Sequence, residues 1–279
     1  MSPPTIKNLL NLNGRTALIT GAAGNLGKEI SGALAELGAD LILVDHPDIN
    51  FSDIQNDLKD SWGIKVYPYH CDLENEESRL ELISKIKLDH EKINILINNA
   101  AFIGSSKLNG WTVTLAEQSL DSWRRALEVN LTAPFHLSQK LEPLLNGSEG
   151  ANIINIGSIY GIYAPDFSLY EATDMGNPAA YGVSKAGLNH LTKWLSTSMA
   201  PNIRVNSICP GGISRNQPNE FVTKYIQKTP LNKLCSVRYC SPVDVVLPRV
   251  LLYCGWVPKT PPRKLFSVRY CSLMDVILP

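Results

Sequence analysis

Two side chains near the middle of the chain have the types and the spacing needed for proton transfer. Tyr181 and Lys185 stand four residues apart in NPAAYGVSKAGLNHL, a stretch of helical character. Residues at i and i+4 share one face of a helix, so the two side chains can be neighbours. A free tyrosine has a pKa near ~10, and a nearby ammonium lowers it by stabilising the phenolate. Because an idle pair on a helix surface has the same spacing, other residues must decide between the two interpretations.

A glycine-rich turn near the start of the chain points to a second kind of chemistry. Residues 20–27 read TGAAGNLG and lie between the apolar run RTALIT and a helical pattern that begins at Lys28. Glycines in such a turn let the backbone approach a pyrophosphate, whose charge then lies at a helix N-terminus. Asp45 ends the next apolar run, where a carboxylate can bond an adenosine ribose and repel a 2′-phosphate. The pattern predicts NAD in preference to NADP; a simple tight turn and a solvated acid are the alternatives.

Apolar β-prone runs alternate with helical patterns over the first two hundred residues. The predicted strands cover residues 15–20, 41–45, 64–70, 93–100, 151–158 and 202–210. The predicted helices cover residues 28–38, 51–62, 74–90, 119–145, with Pro134 near an internal join, and 179–200. Such alternation predicts one α/β domain of Rossmann type, a doubly wound parallel sheet with helices on both faces.

Taken in order, the motifs resemble the classical short-chain dehydrogenase/reductase family. They are TGAAGNLG, CDL at 71–73, NNA at 98–100, Asn130 in VNLTAPF, Ser158 in NIGS, YGVSK and PGG at 210–212. The resemblance implies hydride transfer between a nicotinamide cofactor and an alcohol or ketone, with a tyrosine as general acid or base. The implied catalytic residues are Asn130, Ser158, Tyr181 and Lys185. The resemblance also implies a homodimer or homotetramer.

The resemblance assigns a role to individual residues. Ser158 would orient the substrate oxygen, and Asn130 would hold a water that links Lys185 to solvent. Lys185 would also bond the nicotinamide ribose. Asp72 would contact the adenine, unless it only forms a turn. Asn98 would lie with the cofactor-binding residues, and the favoured alternative for it is that it braces neighbouring strands rather than touching substrate. The implied cofactor-binding residues are Gly21, Asn25, Leu26, Gly27, Asp45, Asp72, Leu73, Asn98, Ala100, Tyr181, Lys185 and Ile213.

Two features depart from the classical pattern. Asn25 occupies the position of the middle glycine, which gives the spacing of the extended branch that includes sugar-nucleotide epimerases. Tyr181 follows Ser158 by 23 residues, a longer gap than classical members have. The intervening segment is rich in aromatic residues and should lie beside the substrate. A similar insert occurs in bacterial members linked to surface-polysaccharide sugars, so a sugar derivative is one candidate substrate.

The resemblance ends at about residue 232. The stretch KLCSVRYCSPVDVVLP at 233–248 recurs as KLFSVRYCSLMDVILP at 264–279, with twelve of sixteen positions identical. We therefore predict a dinucleotide-binding domain over 1–232 and an atypical segment over 233–279. That segment is either a working appendage or the product of a duplication or frame change. Because the family's C-terminus helps to complete the pocket and a subunit interface, a nucleotide-binding protein with impaired catalysis is the first alternative function. A sugar-nucleotide epimerase of the extended branch is a more distant alternative. The same C-terminus puts the expected homodimer or homotetramer in doubt.

Composition argues against several classes of protein. Lys plus Arg and Asp plus Glu both number 26, so no charge excess favours nucleic acid or an anionic membrane. No apolar run approaches the roughly 18 residues of a membrane span, and the N-terminus does not resemble a signal peptide. The cysteines and histidines lack the spacing of a zinc site, so no metal is predicted. We expect a cytoplasmic protein that acts on a small-molecule substrate.

Overall fold

The described part of the protein contains one parallel sheet. The computed structural model describes residues 10–104 and 108–236, so the near-repeat lies outside the described residues except for 233–236. The strands are β1 Thr16–Thr20, β2 Asp40–Asp45, β3 Val66–His70, β4 Ile95–Asn98, β5 Asn152–Ile156 and β6 Arg204–Ile208. All pairs are parallel, in the order β3-β2-β1-β4-β5-β6. This confirms the predicted Rossmann-type sheet.

Helices connect the strands. They are α1 Asn25–Glu36, α2 Ser52–Trp62, α3 Glu76–Asp89, α4 Leu120–Leu127, α5 Ala133–Asn146, α6 Ala179–Ser198 and α7 Asn219–Lys228. The helix predicted over 119–145 is interrupted by a π-helical turn at Glu128–Thr132, and Pro134 lies in the first turn of α5. No helix in the described part is long and apolar enough to cross a membrane.

The core has two layers, one on each face of the sheet. Successive strand residues point to opposite faces. Ala17 and Ile19 of β1 pack in a cluster with residues of α1 and α2, whereas Leu18 packs in a second cluster with residues of α3, α5 and α6. The central strands β1, β2 and β4 are apolar without alternation because both of their faces are covered. Because all six strands are parallel, their carboxyl ends lie at one edge of the sheet. The strand order reverses between β1 and β4, and a crevice opens there.

The turn after β1 closes only because glycines stand in it. Gly21 has a φ of +64°, and a Cβ added there would lie 2.8 Å from the Ala100 Cα. A Cβ on Gly27 would overlap the carbonyl oxygen of Gly21. Asn99 secures the turn from the neighbouring strand, since its Nδ2 donates to the carbonyl oxygens of Thr20 at 2.9 Å and Gly21 at 3.0 Å. The N-terminus of α1 is thereby held against the ends of β1 and β4.

Two glycines of α1 test this constraint in one helix. Gly27→Ala should lower the free energy of unfolding by about 1–3 kcal/mol, because the methyl group forces the turn apart. Gly32→Ala is the matched control, since nothing lies within 4 Å of a Cβ there. That substitution should raise the free energy of unfolding by up to about 1 kcal/mol through helix propensity. Urea unfolding followed by circular dichroism measures both, and equal stability of the two variants would contradict the proposed constraint.

Candidate active site

A cleft of about 820 Å³ opens at the carboxyl edge of the sheet, at the reversal point of the strand order. Its walls come from the turns that follow the strands. The predicted site residues that line it are Gly21, Asn25, Leu26, Gly27, Asp45, Asp72, Leu73, Ala100, Ser158, Tyr181, Lys185 and Ile213. Two others, Asn98 and Asn130, lie behind the wall. The fold thus brings together residues that are spread over most of the described chain.

Lys185 is a buried ammonium at the back of the cleft. It lies on α6, one turn after Tyr181, and is 2% exposed. Its Nζ donates a hydrogen bond of 2.7 Å to the carbonyl oxygen of Ile156, the last residue of β5. Burial lowers the pKa of Lys185 to about 8, because the charged form loses its hydration. The group is therefore still mostly protonated at neutral pH.

Tyr181 is half-buried in the cleft beside Ser158, the second residue after β5. Burial is the main influence on the Tyr181 phenol and raises its pKa. A hydrogen bond with Ser158 and the positive charge of Arg215 act in the opposite direction, more weakly. We predicted that Lys185 lowers the pKa of Tyr181, but in the protein without ligand this pKa is raised. The Lys185 ammonium donates to the Ile156 carbonyl instead. The phenol remains a proton donor at neutral pH.

Asn130 ties two elements of the site together. It lies in the π-helical turn and is fully buried. Its Oδ1 accepts from the Phe102 backbone N–H at 2.6 Å, and its Nδ2 donates to the Phe102 carbonyl at 3.1 Å. The same Nδ2 donates to the Ser184 hydroxyl at 3.0 Å, one residue before Lys185. The side chain thus positions α6 against the loop after β4, and the water that we predicted at Asn130 stays a prediction.

Asn98 does not reach the cleft, which differs from its predicted cofactor-binding role. Its Nδ2 donates to the Asn155 Oδ1 at 2.8 Å, and the Asn155 Nδ2 donates to the Thr192 hydroxyl at 2.9 Å. The side chain points to the face that packs on α6, so it braces strands, which was the alternative. The next residue, Asn99, points the other way, lines the cleft and holds the glycine turn. Its only signal in the sequence was the doubled asparagine of NNA.

Carboxylates lie at one end of the cleft. Asp45 accepts from the Ala23 backbone N–H through Oδ2 and from the His46 N–H through Oδ1, both at 2.8 Å. It is therefore fixed against the glycine turn. Asp72 lines the cleft and also accepts from the Glu74 N–H at 3.0 Å, so its turn-forming role and its exposure to the cleft coexist.

The N-terminus of α1 fits the phosphates of a dinucleotide. It has no side-chain cap and no acidic residue in its first turn, so its backbone N–H groups are not satisfied by the helix itself. Helix α3 shows the contrast, because the Asn75 side chain caps it and Glu76 and Glu77 occupy its first turn. An uncapped helix end beside a glycine turn, with Asp45 at the next strand, suits a pyrophosphate followed by a ribose.

The opposite wall comes from residues 159–180, between Ser158 and Tyr181, which we call the insert segment. It contributes Tyr160, Tyr170, Met175, Gly176, Asn177 and Pro178 to the cleft. Helix α7, which the sequence did not predict, supports the segment. Phe221 of α7 packs on Tyr170 with ring centroids 5.5 Å apart, and the Lys224 Nζ donates to the carbonyl oxygens of Ser168 and Glu171 at 3.0 and 2.9 Å.

The loop around Ile213 completes the cleft on the β6 side. Its backbone pairs with the first residues of the predicted atypical segment. The Ser214 N–H donates to the Cys235 carbonyl at 2.7 Å, and the Cys235 N–H donates to the Gly212 carbonyl at 3.0 Å. The chain therefore remains in contact with the site beyond residue 232.

Comparison with known proteins agrees with this geometry. A sequence profile described as short chain dehydrogenase matches residues 15–224. Post-translational flagellin modification protein A of Campylobacter coli is 30% identical over 216 residues, which cover 77% of this chain and 83% of that protein. The structure of an NAD+-bound xylitol dehydrogenase has a TM-score of 0.72 at 25% identity and covers 83% of this chain and 91% of its own. The Pseudomonas aeruginosa RhlG/NADP complex has a TM-score of 0.71 at 26% identity, with coverages of 84% and 89%. The chain belongs to the short-chain dehydrogenase family.

Proposed function

We propose that this protein transfers a hydride between NAD and a small alcohol or ketone, with Tyr181 as the group that gives or takes the proton. The observation that carries the proposal is the position of Tyr181. Its phenol lies in the cleft beside Ser158, with the buried ammonium of Lys185 one helical turn away. Membership of the family supports cofactor-dependent oxidoreductase activity. We also propose NAD as the preferred cofactor and a small alcohol or ketone as the substrate.

Each residue of this group has a separate task. When bound, the cofactor supplies or accepts the hydride. Tyr181 donates its proton to the substrate oxygen during reduction and takes a proton from the alcohol during oxidation. Ser158 holds the same oxygen by a hydrogen bond. During oxidation the phenolate needs positive charge nearby, which Arg215 and Lys185 would supply.

The cofactor half of the cleft favours NAD by charge. Asn25, Leu26 and Gly27 would hold the pyrophosphate at the start of α1, and Asp45 would bond the adenosine ribose. A 2′-phosphate at that ribose would stand against the fixed Asp45 carboxylate. Like charges at close range in a partly desolvated site repel strongly, which supports NAD. A homodimer or homotetramer and a cytoplasmic location remain predictions.

Tyr181→Phe should reduce turnover by at least about a thousandfold, because the ring still packs but the transferable proton is gone. The affinity for NAD should change by less than about threefold, since the phenol is proposed to act on the substrate. Nicotinamide absorbance at saturating ketone measures turnover, and titration calorimetry measures NAD binding. Unchanged turnover would remove Tyr181 from the mechanism. NAD binding by the native protein with no turnover of any ketone or alcohol would favour the impaired-catalysis alternative.

Lys185→Met should lower both turnover and NAD affinity and yet stabilise the fold at neutral pH. The folded-state pKa of about 8 lies below the ordinary lysine value of 10.5, so the folded protein binds fewer protons than the unfolded chain between these values. The native protein therefore gains stability as pH rises from 8 to 10.5, and below pH 8 it carries a penalty of up to about 3 kcal/mol. The methionine variant lacks this penalty. Its advantage in free energy of unfolding should be largest at pH 7 and should shrink as pH approaches 10.

Urea unfolding at pH 7, 8, 9 and 10 measures this advantage. Lys193→Met is the matched control, because Lys193 is an exposed lysine on the same helix. That control should show no pH-dependent gain in stability. A Lys185 variant less stable than the native protein at every pH would show that the ammonium contributes more through its bond to Ile156 than it loses by burial.

Asp45→Ala should narrow the preference for NAD over NADP at least about tenfold, because the repulsion of the 2′-phosphate disappears. The ratio of the two kcat/KM values, with one substrate at one pH, measures the preference. Asp48→Ala is the control, since Asp48 is an exposed acid three residues further on that does not line the cleft. A higher kcat/KM of the native protein with NADP than with NAD would contradict the proposed preference.

A further inference from the structure

Two phenols of the insert segment face the cleft as a bonded pair. The hydroxyl oxygens of Tyr160 and Tyr170 lie 2.7 Å apart, and both residues line the cleft. The Asn177 Nδ2 donates to the Tyr170 hydroxyl at 3.2 Å. All three residues lie between Ser158 and Tyr181, in the segment that is longer here than in classical members. Nothing in the hydride-transfer step described above uses them.

Counting hydrogens shows that this cluster has a donor to spare. Each phenol carries one hydrogen, and one phenol must donate to the other. If Tyr170 donates to Tyr160, the Tyr160 hydrogen has no acceptor within the cluster. If Tyr160 donates to Tyr170, the Tyr170 oxygen already accepts from two donors, and its own hydrogen is the one left. With the Asn177 Nδ2 as the donor to Tyr170, both arrangements leave one O–H of a cleft-lining residue without an acceptor inside the cluster, and a ligand oxygen can accept from it.

The cluster is rigid and stays protonated. Tyr170 packs with Met175, Phe221, Tyr225 and neighbouring apolar residues, so its ring is fixed before a ligand arrives. Burial raises the pKa of Tyr160 and of Tyr170, so both are neutral donors at physiological pH. A hydroxyl of the cleft wall without a protein acceptor can donate to a ligand oxygen placed beside it.

The cluster also lies next to the reaction centre. The backbone N–H of Tyr160 donates to the Ser158 Oγ at 3.2 Å, which places Tyr160 directly after the substrate-orienting serine. Tyr170 is close enough to Tyr181 to influence the pKa of its phenol. A substrate whose carbonyl is held by Ser158 and Tyr181 would therefore extend along the two phenols.

We propose that the Tyr160–Tyr170 pair is a second polar subsite, which donates a hydrogen bond to a hydroxyl or carbonyl oxygen of the substrate a few carbons from the reacting carbon. The substrate class is then a ketone or alcohol that carries further oxygens, as a polyol or a ketose does, rather than a purely alkyl ketone. This inference rests on the proposed hydride transfer and narrows its substrate.

Matched ketones test the subsite. The pairs are hydroxyacetone with 2-butanone, 4-hydroxy-2-butanone with 2-pentanone, and 5-hydroxy-2-pentanone with 2-hexanone, in which a hydroxyl replaces a methyl group of similar size. The native protein with NADH should prefer the hydroxylated member of at least one pair by about 10-fold or more in kcat/KM. The double variant Tyr160→Phe/Tyr170→Phe should reduce that ratio to near one. Single variants are less decisive, because either phenol alone can still donate.

Tyr69→Phe is the control, because Tyr69 is a tyrosine of β3 outside the cleft whose hydroxyl bonds Asp89. Its ratio should equal that of the native protein. Turnover by the native protein with no preference in any pair, or a preference kept by the double variant, would overturn the subsite and leave the hydride-transfer proposal intact. Absence of turnover would count against the proposed function instead. In that case the affinities of the two ketones of each pair for the NADH-bound protein, measured by saturation-transfer NMR, replace the kcat/KM values. A preference of the native protein for the hydroxylated ketone that the double variant loses would still support the subsite.

Discussion

The ammonium of Lys185 must keep its charge in a place that water barely reaches, and much of the site is arranged around that requirement. The side chain is 2% exposed and donates to the Ile156 carbonyl. This bond exists only if β5 and α6 keep a fixed separation and register. The buried chain from Asn98 through Asn155 to Thr192 links β4 and β5 to the same helix. Buried polar groups are costly unless paired, so these bonds specify one alignment of helix and sheet where apolar contacts alone would allow several.

The sequence predicted those elements of the fold that a single local pattern determines. All six strands were predicted from apolar runs, because a sheet covered on both faces needs no alternation. The start of α1 was misplaced at Lys28 instead of Asn25, since Gly24 precedes the helix without a side-chain cap. Helix α7 was missed because its apolar face is defined by the insert segment that it covers. The π-helical turn was missed because nothing local marks it, and Asn130 is held there by a loop 28 residues away.

The candidate site was predictable where chemistry requires a residue type, and less so where packing chooses the residue. A proton donor beside an ammonium, a glycine turn and a strand-end acid each have a functional reason that spacing reveals. Asn98 and Asn99 are alike in the sequence, and only the direction of the strand end separates the one that braces the sheet from the one that lines the cleft. The bonds of Asn99 to the glycine turn span 79 residues, and no local pattern encodes them. The phenol pair likewise depends on how an irregular segment folds back on itself.

The two hydrogen bonds between the loop at Gly212–Ser214 and Cys235 join backbone donors to backbone acceptors. Main-chain pairing of this kind is indifferent to side-chain identity, apart from the ban on proline at a donor position. The segment that we predict to be atypical, from residue 233 onwards, therefore begins with residues that pair with this loop. Substitutions in this strip can therefore keep the wall of the cleft beside Ile213 as long as they fill the space of the buried Cys235 and of Leu234, which packs on Phe221 and Tyr225.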